Sequence, residues 1–241
     1  MQPLGELCIE ATYNGPPTSG NGGYTAGRLS LIAGDARIVR ISAPIPLDTV
    51  LTIHRVDDRL EALSGETRIL TARPGTVTLT PPPAPTLAEA ETAAANPTSF
   101  GAGGPSTCFV CGRNRKPGEG LHIHCGRLAS GGAASVWHPH KAFCGEDGFV
   151  RPEYVWAALD CPGGFALPIT KTNYLLGEMT AALHRPVPAD EPVIVHAWHV
   201  WSEGRKHFAG TALHAADGTL LAQADTLWIE LTPEQFGKPG T

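Results

Sequence analysis

No stretch of this 241-residue chain approaches the roughly 20 consecutive apolar residues that a bilayer-spanning helix needs, so no membrane span is expected. The N-terminal run Met1–Glu10 has no cationic segment followed by an apolar one. It predicts no signal peptide, and with it a cytoplasmic location. Charge is also scarce. Asp, Glu, Lys and Arg make up 17% of the residues, the net charge is −5, and Lys and Arg form no cluster. That balance argues against a nucleic-acid partner. Three familiar chemical signatures are missing as well. There is no Gly-x-Ser-x-Gly elbow for an α/β-type serine hydrolase and no His-Glu-x-x-His zinc helix. Gly20-Asn21-Gly22-Gly23 is rich in glycine but does not complete Gly-x-Gly-x-x-Gly, which disfavours a dinucleotide site.

Glycine (28) and proline (22) are abundant and signal many turns. Six cysteines are present: Cys8, Cys108, Cys111, Cys125, Cys144 and Cys161. In a chain of this length without a secretory signal they read as reduced thiols. Cys108-x-x-Cys111 has zinc-like spacing, with His122, His124 and Cys125 downstream. No second Cys-x-x-Cys follows, and His122 and His124 alternate as on one strand face. The expectation is therefore no metal and no other cofactor.

The informative feature is an internal repeat. Ala43-Pro44-Ile45-Pro46-Leu47-Asp48 precedes the apolar strand Val50-Leu51-Thr52-Ile53-His54. Arg185-Pro186-Val187-Pro188-Ala189-Asp190 precedes Val193-Ile194-Val195-His196. Both prolines, the aspartate and the histidine recur without a gap. Gly22-Gly23-Tyr24 matches Gly163-Gly164-Phe165 one position out of that register. Each copy thus reads as Gly-Gly-aromatic, a helix, a Pro-x-Pro turn and several strands. The first helix is expected from about Gly22 to Ala33 and the second from about Gly163. Long antiparallel strands are expected over 193–201, 207–214 and 220–231, with a turn at Asp217-Gly218. The domain reading is a first module over 1–83, a Pro/Ala/Gly-rich linker over 84–107, a second module over 108–232 and a tail over 233–241. The linker is expected to hold one short helix from Thr86 to Ala95.

Three segments carry a family resemblance. They are Tyr13-Asn14-Gly15-Pro16-Pro17-Thr18-Ser19-Gly20-Asn21-Gly22-Gly23-Tyr24, Cys108-Phe109-Val110-Cys111-Gly112 with Gly120-Leu121, and Leu159-Asp160-Cys161-Pro162-Gly163-Gly164-Phe165-Ala166. Together they resemble the hotdog-fold acyl-CoA thioesterase superfamily in its fused form, with phenylacetate-type features. The resemblance implies an α+β double hotdog. Either two antiparallel sheets or one continuous sheet would wrap a central helix in each half, the halves being related by a pseudo-twofold axis. It implies Cys108–Gly112 as an opening strand, and the Gly22 and Gly163 helices side by side. It further implies an acyl-CoA or other acyl-thioester substrate, and it allows a homodimer of such chains.

Asp160 is the principal candidate. A carboxylate near a helix start can activate water or attack a thioester carbonyl, and free N–H groups there can hold the oxyanion. The plainer reading is an Asp N-cap. Ser19-Gly20-Asn21 occupies the matching stretch of the first copy, so the two sites are not equivalent. Asn21 would orient water or the carbonyl, or simply cap its helix. Gly22, Gly23, Tyr24, Gly163, Gly164 and Phe165 are the expected substrate-binding residues. His54 and His196 read as sheet-surface histidines. His138 and His140 lie in a loop, and Trp198, Trp201 and Trp228 read as sheet packing. Two alternatives stand beside hydrolysis: a non-catalytic acyl-CoA or lipid binder, and an enoyl-thioester hydratase, for which no paired His and acid is seen near either helix start.

Overall fold

A computed structural model describes residues 3–34, 37–98 and 106–236. The Gly101–Pro105 stretch of the expected linker and the end of the expected tail lie outside the described residues. Five strands belong to the first half: β1 (Gly5–Cys8), β2 (Arg37–Ile41), β3 (Val50–Val56), β4 (Arg59–Ser64) and β5 (Thr67–Pro74). Six belong to the second: β6 (Gly126–Arg127), β7 (Ala133–Trp137), β8 (Tyr174–Leu183), β9 (Val193–Glu203), β10 (Lys206–Ala215) and β11 (Leu220–Glu230). All form one antiparallel sheet in the order β1-β3-β4-β5-β2-β8-β11-β10-β9-β7-β6. Of the two sheet arrangements the resemblance allows, the continuous one is present. The order 1-3-4-5-2 in the first half recurs as 7-9-10-11-8 in the second, so the sequence repeat has a topological counterpart. The halves meet where β2 pairs with β8 through Ile38–Thr180, Val39–Met179 and Arg40–Glu178.

The Pro-x-Pro turns are equivalent in backbone detail. Asp48 and Asp190 both adopt positive φ, at 50° and 60°. The preceding Ile45 and Val187 carbonyls each accept a backbone N–H, from Gly20 and Val150. A short polar side chain tolerates this left-handed conformation, which explains an aspartate at both places.

The first helix, α1 (Gly22–Ala33), has the expected bounds, with Asn21 as N-cap and Gly34 at φ 75° closing the C-terminus. In the linker, α2 (Leu87–Ala94) begins with a Thr86/Glu89 capping box. The linker is more than a tether: Ala90 and Ala93 pack on Ala134 and Ile194 on the outer face of the sheet. Upstream of α2, the Thr78 backbone N–H and hydroxyl bond Asp225 at 2.7 and 2.8 Å.

The second half departs from expectation at its helix. A helix forms earlier, as α3 (Pro152–Ala158), and a shorter one follows as α4 (Cys161–Ala166). Proline at the N-terminus of α3 favours its early start. Hence α1 packs on α3, not on the Gly163 segment. Gly23 and Gly27, one helical turn apart, allow the close approach. A Cβ on Gly23 would lie 2.5 Å from the Asp160 Cβ and 2.8 Å from the Trp156 carbonyl oxygen, and one on Gly27 would lie 2.8 Å from the Trp156 Cβ. Cys108–Gly112 is a turn and not an opening strand. The inner sheet face and α1, α3 and α4 enclose one core that runs through both halves, from Leu7 and Ile53 to Val195 and Trp228. No described helix is long and apolar enough to cross a membrane.

Candidate active site

The fold brings Asp160 of the second half to the N-terminus of α1 in the first. Asp160 follows the end of α3 and directly precedes α4, and its side chain makes no cap bond to α4. The carboxylate instead crosses the interface between the halves. Its Oδ2 accepts the Gly23 backbone N–H and the Asn21 Nδ2–H, both at 2.9 Å. Asn21 serves two helices at once, since its Oδ1 also accepts the Tyr24 N–H at 2.9 Å. The cap role and the role beside Asp160 are therefore compatible in one amide side chain. A carboxylate at this position also meets the positive end of the α1 dipole.

Asp160 is only 3% exposed, and its Oδ1 has no hydrogen-bond partner among the described residues. Burial pushes its pKa up to about 7, against the pull of the Gly23 and Asn21 hydrogen bonds and with a further push from Cys108. The result is a carboxyl group able to gain or lose a proton near neutral pH.

The remaining expected binding residues are distributed around this pair. Gly22 sits against Leu176 and Ile41. Tyr24 stacks on Tyr13 at 4.1 Å and accepts a hydrogen bond from Arg28. Gly163 donates its N–H to the Asp160 carbonyl at 3.0 Å and lies on the sheet against Trp228, Thr226 and Thr211. Gly164 and Phe165 are buried in α4. Asp160, Asn21, Gly22 and Gly23 thus form one locus, whereas Gly163, Gly164 and Phe165 lie in α4, where Gly163 rests on the sheet.

Two features escaped the sequence reading. The first is a ring cluster of Tyr13, Tyr24, Phe109, Phe143 and Tyr154, in which the Tyr13 and Tyr154 hydroxyls meet at 3.1 Å. The second is that Cys161, the residue after Asp160, comes to Cys108 at 3.7 Å between sulfurs, although 53 positions separate them. Hydrogen bonds from the Cys111 and Cys161 thiols hold Cys108 well below the usual thiol range. All six cysteines are unbridged.

The histidines and tryptophans fall partly outside expectation. His196 is buried and not on the sheet surface, while His54 is half-buried. His122, His138 and His140 line one groove with Trp137 and Phe143. Residues 121–125 are not a strand, so His122 and His124 share no strand face. Trp228 is buried, but Trp201 is 46% exposed, stacked on Phe208.

No protein-family model matches the chain, and no curated protein matches it. Solved structures do. A tesB protein of Mycobacterium avium subsp. paratuberculosis matches at TM-score 0.62 with 11% identity, over 95% of this chain and 94% of that one. A Novosphingobium aromaticivorans protein that carries a thioesterase assignment matches at TM-score 0.61 with 12% identity, over 94% and 95%. The chain thus shares the double-hotdog fold of these thioesterase-superfamily structures along nearly its whole length.

Proposed function

We propose that the chain hydrolyses an acyl-CoA thioester between its two halves, with Asp160 as the catalytic carboxylate. The supporting observation is the crossing of a buried carboxylate from one half to the helix N-terminus of the other, held through one oxygen by Asn21 and Gly23. That hold leaves Oδ1 as the working atom. As general base, Oδ1 takes a proton from water as the water oxygen bonds to the thioester carbon. As nucleophile, Oδ1 would bond to that carbon itself, and water would then hydrolyse the mixed anhydride and free the carboxylate. In both cases the thiolate of CoA leaves and the carboxylic acid is the second product. A carboxyl raised to about 7 by burial is matched to either task near neutral pH. The Gly23 N–H is engaged by Asp160 and the Gly163 N–H by the Asp160 carbonyl. The half-exposed Gly22 amide is accordingly assigned the developing oxyanion. The described partners of Asp160 are a side-chain amide and a backbone amide, and a histidine is not among them, which disfavours hydration of an enoyl thioester.

The test is a panel of acyl-CoA esters with CoA release read by a thiol-reactive dye. Asp160→Asn should lower turnover of the best substrate by about two orders of magnitude. Both bonds to position 160 can be kept by the Asn oxygen, so the melting temperature should change little. The near-complete burial of Asp160 favours one second reading, a non-catalytic acyl-CoA binder. Calorimetric CoA binding by a wild-type chain that turns over no ester in the panel would select it.

A further inference from the structure

The thiols of Cys108, Cys111 and Cys161 lie within 4.8 Å of one another. Cys108 and Cys161 are buried and Cys111 is half-buried. We propose that these three sulfurs bind one thiolate-preferring divalent ion, zinc, with a fourth coordination position left open. This goes beyond the thioesterase reading and does not depend on it. It also revises the expectation of no metal, which rested on the missing partner for the Cys108/Cys111 pair.

One sulfur–sulfur spacing matches a tetrahedral edge. Zinc–thiolate bonds of about 2.3 Å place the sulfurs of a tetrahedron about 3.8 Å apart. Cys108 and Cys161 already stand at 3.7 Å. A disulfide would use two sulfurs at about 2.05 Å and leave the third without a role.

The loop that carries the first two sulfurs is held in place by hydrogen bonds along its backbone. The Gly112 N–H closes the turn on the Cys108 carbonyl at 2.9 Å. A Cβ at 112 would lie 2.4 Å from that carbonyl oxygen, so only glycine fits there. The Leu121 and Ile123 N–H groups bond Phe109 and Val110, and the Arg115 guanidinium bonds the Thr107 and Glu119 carbonyls. The Cys108–Gly112 turn is thereby fixed before any ion arrives.

The third sulfur comes from α4, next to Asp160. Binding converts three thiols to thiolates, with their protons released to solvent, so affinity should fall as pH falls. No electron transfer is involved.

The experiment uses the full-length chain, reduced and stripped with a chelator, titrated with Co(II) and then Zn(II) under an oxygen-free atmosphere. The expected result is about one ion per chain, thiolate-to-cobalt charge-transfer bands with tetrahedral visible bands, and their loss as Zn(II) displaces cobalt. Cys161→Ser and Cys108→Ser should weaken binding at least 100-fold, whereas Cys125→Ser and Cys144→Ser should retain it. A wild-type chain that binds neither ion more tightly than about 1 µM overturns the proposal, even if every variant misfolds. So does a folded Cys161→Ser chain, by circular dichroism, that binds as tightly as the parent. Intact-mass evidence for a disulfide among the three cysteines in freshly isolated protein would overturn it as well.

Discussion

Gly23 shows how much at the candidate site depends on the absence of a side chain. Its N–H reaches the Asp160 carboxylate because α1 lies directly on the end of α3. Gly23→Ala would put a methyl group 2.5 Å from the Asp160 Cβ, 2.8 Å from the Trp156 carbonyl oxygen and 3.2 Å from the Ala157 Cα. Two of these neighbours are backbone, so the helices themselves would have to separate. The expected cost is about 2–4 kcal/mol in urea unfolding, at the upper end for an overpacked core position. Gly5→Ala is the control, because its Cβ would meet nothing within 4 Å. A Gly23→Ala chain as stable as Gly5→Ala would show that the helices do not approach this closely. Asp160, Asn21 and Gly23 were legible because each is a residue type whose chemistry suits a helix start. Cys161 was not, because metal-ligand spacing is readable only within one short segment. The fold supplies the third sulfur from across 53 positions, and nothing in the local pattern records that.

At the level of elements, the repeat was the readable signal. Pro44-x-Pro46 and Pro186-x-Pro188 announce the same turn, and both end in an aspartate at positive φ before the equivalent strands β3 and β9. The second helix was misplaced for a physical reason. Gly163-Gly164 resembles a helix start by analogy with Gly22-Gly23, but helix formation had already begun at Pro152, and Gly163 is there to let α4 sit on Thr226 and Trp228. The helix α2 was readable as a short helix in the Ala-rich linker run, whereas its capping box and packing appear only in the structure. Its Thr86 hydroxyl accepts the Glu89 N–H at 3.2 Å, and the Glu89 carboxylate takes the Thr86 N–H at 2.8 Å in return. Thr86→Ala should therefore cost about 1 kcal/mol, as loss of an N-cap usually does. Hydrogen exchange should speed up in the first turn of α2 and leave β9 and β10 unchanged. Unchanged exchange in that turn would mean that packing on Ala134 and Ile194 alone holds the helix.

Across the whole molecule, one sheet and one core span both halves, so local ionisation is felt as global stability. His196 is the clearest case. It lies on β9 between Ile194 and Trp198, with the His214 ring 5.1 Å away and the Trp198 ring at 5.3 Å. Burial first, and the His214 charge second, push its pKa down to about 4. An unfolded histidine titrates near 6.5. Above pH 6.5 both states are neutral at this position, and the native state keeps its full stability. Between 6.5 and 4 the unfolded chain binds a proton that the native chain refuses, so stability falls as pH falls. Below 4 both states are charged and the loss is complete. The drop from this one residue is on the order of 3 kcal/mol, as the ceiling set by a shift of that size. Burial lowers His214 in the same direction. The shift at Asp160 has the opposite sign, because its pKa is raised in the native state. A comparison of parent and His196→Gln chains removes that contribution, which is common to both. Urea unfolding at pH 7.5 and at pH 4.5 should show the parent losing more stability than the variant, by about 2 kcal/mol or more. Equal losses would mean that His196 is reached by water in the native state, and that the outer face of β9 is less closed than the packing of α2 beside it implies.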